Sequence, residues 1–404
     1  MVIVGAVTLA AAPDASAKPR GLSKYESRAY VIHTNLTREE ALEYGVHMDL
    51  IYKKYSQRFS VLRGQQRRKQ HLYLLRTRDD YINAMASFDI PAQASGGMFF
   101  WGGDIPGGSA ISTWVEGLTR DQIFNTLQHE GFHQFAHHKL GDQLPLWINE
   151  GLAEYFGSAI VVDDKVRLGI VDTDRIDKIN QAFASNQALG FEELLDIDLR
   201  QWHANMLSRS AKGSLQYDQA WATVHFLIHG DNGRYQNAFG NYLVMISKGR
   251  AHRMAWRDAF GDDNRRFAQR WRKFLGEVES DHYSVALRRL QFLGAGLNFL
   301  HGKGQDTPAD VQALREALQS HGFSLSWRTE AGPRAIDSAD ETLYAYTDRR
   351  DAEHEFELIP AKQGSNLPAT IAAPKLQPPA TLIWIKDEEG NIRSQIEYGR
   401  QRRK

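Results

Sequence analysis

Residues 129–133 read His-Glu-Gly-Phe-His, and residues 145–156 read Pro-Leu-Trp-Ile-Asn-Glu-Gly-Leu-Ala-Glu-Tyr-Phe. These two stretches constrain the chain more than any others, because each sets polar residues at helical spacing inside an apolar run. Positions i and i+4 of a helix share a face, so His129 and His133 can turn both rings towards one ion. Glu130 sits beside them, where it can reach a water but not easily bind the ion. This is the two-histidine zinc pattern with an adjacent general base. The plainer alternative is a helix with two polar histidines on a solvated face.

The first helix is expected to open at Thr119 and Asp121 and to close at Gly141; the second starts at Pro145, a favoured first-turn residue. A turn as short as Gly141–Leu144 packs two helices antiparallel. That can bring Glu150, 17 residues after His133, opposite the histidine pair. Catalytic zinc takes three protein ligands and keeps its fourth position for water. Glu154, one turn further on the same face, can accept the outer N–H of a ligand imidazole and fix its tautomer.

The chain has no cysteine, which removes disulfides, thiol nucleophiles and cysteine-based zinc sites. Any metal falls to His, Asp or Glu. A zinc with a purely structural role is disfavoured, since such sites are closed by four protein ligands. Lys plus Arg and Asp plus Glu both number 49, so the balance does not fit a basic nucleic-acid binder. No apolar stretch reaches the length of a membrane span, so stable membrane insertion is not expected.

The expected fold class is α+β. Residues 1–17 read as a secretory signal, with the apolar run Val2–Ala12 and cleavage after Ala15-Ser16-Ala17, which implies export to a periplasmic or extracellular location. Residues 18–118 form a small mixed sheet-and-helix lobe. Its strands are expected at Ala29–His33 and His71–Leu75, a helix is capped by Thr37, and a Gly/Pro-rich loop joins two short strands over 96–116. Residues 119–280 are mostly helical, with helices over Tyr217–Ile228 and Arg265–Val278. Residues 281–404 form an α+β extension: helices near 283–300 and 308–320, β-type segments at 342–347 and 354–359, a proline-rich linker or extended loop over 360–379, and a hairpin of Thr381–Ile385 and Ile392–Tyr398 turning at Glu389-Gly390-Asn391. The basic end, Arg400 to Lys404, reads as a solvated tail.

The His-Glu-x-x-His helix followed by Asn149-Glu150-Gly-Leu-Ala-Glu154 resembles the gluzincin zinc metallopeptidases, which include thermolysin and the aminopeptidase N relatives. The resemblance implies one zinc ion per chain on His129, His133 and Glu150, with Glu130 as general base and Glu154 supporting a ligand histidine. It extends to Tyr217, 67 residues after Glu150, where the aminopeptidase-like branch carries a tyrosine that steadies the oxyanion. The sequence departs from that branch at Gly96-Gly-Met98, where Phe99 and Phe100 replace the Glu and Asn of its Gly-x-Met-Glu-Asn strand. The missing acid recognises a free amino terminus, so an endopeptidase acting on a peptide or protein is favoured over an aminopeptidase. The competing reading is a non-catalytic or regulated module that keeps the gluzincin shell to bind peptide or cell-envelope material.

Three further groups read more simply as structure than as chemistry. His137 and His138 fall at the exposed end of the first helix, and His225 and His229 read as satisfied core histidines. Trp256, Trp271 and Phe274 lie at core spacing.

Overall fold

Short runs of branched, aromatic and aliphatic residues, largely buried, form strands β2 (Tyr30–Thr34) and β3 (Gln70–Leu75), and the more exposed β1 (Ser23–Glu26) pairs with β2 at the edge. In the computed structural model the described residues are 21–399 apart from 63–67, 94, 119, 163–164, 172, 209–211, 280, 330–331, 349, 363 and 387–391. The expected leader, the helix-opening Thr119, the Glu389-Gly390-Asn391 turn and the basic tail lie outside the described residues. The fold class is α+β, as the sequence implies.

The chain divides into two compact units. One runs to Val161 and includes Lys165–Gly169 and Arg175–Val278; the other comprises 162–164, 170–174 and 279–404. Residue 118, the expected limit of the N-terminal lobe, falls inside the first unit.

In the first unit, helix α1 (Arg38–Arg58) follows β2, and α2 (Arg78–Ala86) follows β3. Both begin in capping boxes, Thr37 with Glu40 and Thr77 with Asp80, in which hydroxyl and carboxylate satisfy backbone N–H groups that the helix itself leaves open. Strands β4 (Met98–Trp101) and β5 (Ser109–Trp114) complete a five-stranded sheet in the order β1-β2-β3-β5-β4. The β2–β3 and β3–β5 pairs are parallel and the outer pairs antiparallel, which leaves β4 on an edge. Side chains alternate between the faces: Leu72, Leu74 and Phe99 join the core beneath α1, whereas Tyr73, Leu75, Met98 and Phe100 join the core beneath α2.

Helix α3 (Arg120–Leu140) packs on the first of these faces through Ile123 and Leu127. After a single 3-10 turn the chain reverses into α4 (Leu146–Gly157), which gives the expected helical hairpin. A short pair of strands follows, β6 (Ile160–Val162) with β7 (Lys165–Arg167). Among the described residues the helices that follow are α5 (Thr173–Ala184), α6 (Phe191–Asp196), α7 (Leu199–Leu207), α8 (Lys212–Gly233), α9 (Gln236–Ser247), α10 (His252–Phe260) and α11 (Asn264–Glu277). Trp256 and Trp271 are buried among them, as core.

The second unit is built on α12 (His282–Gly302) and α13 (Val311–Ser320), with a hairpin of β8 (Ser324–Thr329) and β9 (Gly332–Asp337). Strands β10 (Ala345–Thr347) and β11 (Glu353–Glu355) pair, and β12 (Glu357–Ile359), β13 (Thr370–Ala373), β14 (Ala380–Lys386) and β15 (Ile392–Tyr398) form an antiparallel sheet. Two expectations are corrected here. The β-type segment at 342–347 is a 3-10 turn over Glu341–Tyr344 before a three-residue strand. The proline-rich stretch 360–379 contains β13, because Thr370–Ala373 is a proline-free window whose residues pair with both neighbours. Among the described residues, no helix is long and apolar enough to cross a membrane.

Candidate metal centre

Helix α3 is buried from Leu127 to Ala136, so its polar residues must find partners inside the protein. His129, Glu130 and His133 are at most 7% exposed, and Glu150, presented by α4, is 3% exposed. The Nε2 atoms of His129 and His133 lie 3.1 Å apart, and Oε2 of Glu150 lies 3.6 Å from each. A tetrahedral ion with bonds of about 2.05 Å spaces its ligand atoms about 3.3 Å apart. The observed triangle brackets that spacing, so His129, His133 and Glu150 form a group able to hold a metal ion. Oε2 of Glu150 has no well-formed hydrogen bond among the described residues, and Glu130 has at most a long contact from the Phe99 backbone. Buried carboxylates in that condition are costly, and a cation with its water would satisfy them.

The charges around the triangle are coupled. Burial works against ionisation of Glu150, but the imidazoles of His133 and His129 outweigh it and hold its carboxyl at about 2. Burial would depress His129, yet contacts with Glu150 and Glu154 raise it well above its ordinary value. Glu130 moves the other way from Glu150: burial raises its carboxyl, only partly offset by the two histidines. Two carboxylates in one pocket are thus driven in opposite directions, one held ionised and one made more basic.

Behind the triangle, Oε1 of Glu154 lies 3.1 Å from Nδ1 of His129, where the sequence reading places it. Its second oxygen meets Arg175 of α5 at 2.5 Å. The same guanidinium reaches Asp218 of α8 at 3.6 Å, and Lys178 meets Asp218 at 2.8 Å. Tyr217, the neighbour of Asp218, is half-buried and packs edge-on against Trp202 with ring centres 4.8 Å apart. Burial raises the Tyr217 hydroxyl and the charge of Glu150 adds to it, a contact with the Trp202 side chain offsets part of the rise, and Glu154 and Glu130 contribute further upward.

Gln128 is a participant that sequence reasoning misses. Its Nε2 donates to the carbonyls of Gly157 (2.8 Å), Ala159 (3.1 Å) and Phe156 (3.3 Å), pinning the end of α4 to α3 beside the first histidine. A lone glutamine in an apolar run carries no motif. Arg175 and Lys178 escape for another reason: their partner Asp218 is distant in sequence and meets them only as ion pairs between α5 and α8.

The remaining histidines stand apart from the triangle. His137 lies 3.4 Å from Asp142 and packs on Trp101, and His138 Nε2 is 2.8 Å from the Ser109 hydroxyl. His225 Nε2 lies 3.2 Å from the Gly169 carbonyl and His229 Nε2 lies 2.9 Å from the Tyr155 hydroxyl, so both are satisfied within the unit.

Residues 123–248 match a family described as a protein of unknown function, DUF1570. The matched stretch contains the His129, His133 and Glu150 triangle, Glu130, Glu154, Arg175 and Tyr217. No curated protein matches the sequence.

Proposed function

We propose that this chain is an exported zinc metallopeptidase of the gluzincin type that cleaves bonds within peptide or protein substrates. One observation carries the reading: a buried triangle of His129, His133 and Glu150, spaced for a tetrahedral ion, with the buried carboxylate of Glu130 adjoining it. Zinc bound there supplies a Lewis acid that acidifies a water and polarises a carbonyl. Glu130, made more basic by burial, takes a proton from the attacking water and returns it to the departing amine. Tyr217, whose raised hydroxyl stays protonated, donates a hydrogen bond to the oxyanion. Glu154 holds His129 in the tautomer that presents Nε2. Export rests on residues 1–17, and internal cleavage on Phe99 and Phe100 standing where an amino-terminus-binding acid would be.

The test is metal content by elemental mass spectrometry together with cleavage of a mixed peptide library, for wild type, Glu130→Gln and Glu150→Ala. The expected result is about one zinc per chain in wild type and Glu130→Gln, cleavage by wild type alone, and loss of metal from Glu150→Ala. Stoichiometric zinc without cleavage would return the reading to a binding module. No zinc in any variant after refilling would remove the metal site.

A further inference from the structure

We infer that Arg175 is a positioning residue for the metal centre: one edge of its guanidinium fixes Glu154 against His129 while another is tied to Asp218, the neighbour of Tyr217. The inference rests on the reading that His129, His133 and Glu150 hold a metal. Glu154 uses one oxygen for His129 Nδ1, at 3.1 Å, and the other for Arg175, at 2.5 Å. Without the arginine, that carboxylate can rotate away from the imidazole. Arg175 is itself restrained, by Asp218 at 3.6 Å and by the face of Trp221, with the guanidinium carbon 5.5 Å from the ring centre.

The four charges alternate along the chain of contacts, Glu154, Arg175, Asp218 and Lys178, and their side chains are between 10% and 28% exposed. Each charge has an opposite neighbour, which satisfies the condition for burying ions at all. A planar guanidinium can address two carboxylates from different edges, which a single ammonium on a flexible stem cannot reproduce. The arrangement joins α3, α4, α5 and α8, so one side chain of α5 sets both a metal-binding imidazole and the turn that carries Tyr217.

The experiment measures the zinc Kd of the full chain by competition with a chromophoric chelator, for wild type, Glu154→Gln, Arg175→Met, the double variant and Arg175→Lys. Loss of a group that orients a metal-binding histidine weakens binding by about 10- to 100-fold. Arg175→Met is expected to lie in that range, and the double variant to be no weaker than the worse single one, because both act through one contact. A merely structural arginine would leave the Kd unchanged or give losses that multiply, and either overturns the inference. If Arg175→Met does not fold, Arg175→Lys decides: binding at least about threefold weaker than wild type supports the inference, on the ground that lysine is a poor replacement at a two-carboxylate site, and a wild-type Kd overturns it. Peptide cleavage plays no part in the readout, so a protein that binds zinc but cuts nothing would sink the peptidase and leave Arg175 to be judged on Kd. A wild type that binds no zinc would remove both.

Discussion

Gly151 of α4 and Ala220 of α8 approach so closely that a Cβ on Gly151 would stand 2.4 Å from the Ala220 carbonyl oxygen and 2.7 Å from its carbon. Glu150 is the residue before this contact and Tyr217 lies a turn before Ala220, so the same approach bears on a candidate metal ligand and on the turn that carries the tyrosine. Gly151→Ala would gain about 1 kcal/mol of helix propensity. Overpacking against a backbone atom, which has no rotamer to escape into, costs about 1–3 kcal/mol. We expect net destabilisation in denaturant unfolding and weaker zinc binding as Glu150 shifts. A variant as stable as wild type, with an unchanged Kd, would show that the helices separate at no cost.

Tyr217→Phe should keep its zinc and lose about 10²- to 10³-fold in kcat, the range for removing one oxyanion donor. The ring keeps its edge-on contact with Trp202 but loses the hydroxyl that faces the Trp202 side chain, so stability is to be measured beside kcat. Cleavage at the wild-type rate would assign the tyrosine to packing alone.

Gln128→Met keeps the shape but removes the donor to three carbonyls at the end of α4. The Phe156 carbonyl keeps the Ala159 amide, so the loss falls chiefly on the Ala159 carbonyl and on His47, whose Nε2 gives up Gln128 Oε1 at 2.8 Å. A buried polar group left unpaired costs about 1–3 kcal/mol, and urea denaturation should show a loss in that range. A change below about 0.5 kcal/mol would mean that water takes over those bonds.

Burial, helped by neighbouring His229, lowers His225 to about 4 from an ordinary value near 6.5. Between those limits the unfolded chain binds a proton that the folded chain refuses. The contribution is therefore fully present above pH 6.5 and is lost as pH falls towards 4. In His225→Gln this dependence vanishes. The stability gap between wild type and variant should narrow by about 3 kcal/mol from pH 6.5 to 4; a gap constant with pH would contradict a buried neutral imidazole.

Much of the site was legible in sequence because its main parts are local. The histidines share one helix, Glu150 follows a single short turn, and Thr37 with Glu40 announces a helix start by chemistry that needs no tertiary context. Gly151 could be read as part of a motif, but not as a contact with Ala220, since that distance exists only once α8 has packed. Arg175 and Gln128 carry no periodic or spacing signal; their roles come from what lies across from them. Strand β13 was hidden because prolines on both sides dominate the local composition, whereas pairing with β12 and β14 decides the conformation of the four residues between.

Strand β4 is the outer member of its sheet and only four residues long. Alternate residues of a strand direct their amide groups to the same side, so the side of β4 that no described strand pairs would offer at most about two residues' worth of bonding to a visiting chain. At about 1 kcal/mol for each bond, such a visitor is held loosely and exchanges quickly. It must also arrive already straightened, since a folded domain has no loose length to lay down. Adhesion of this kind would rank molecules by how unravelled they are before it ranks them by the letters they spell.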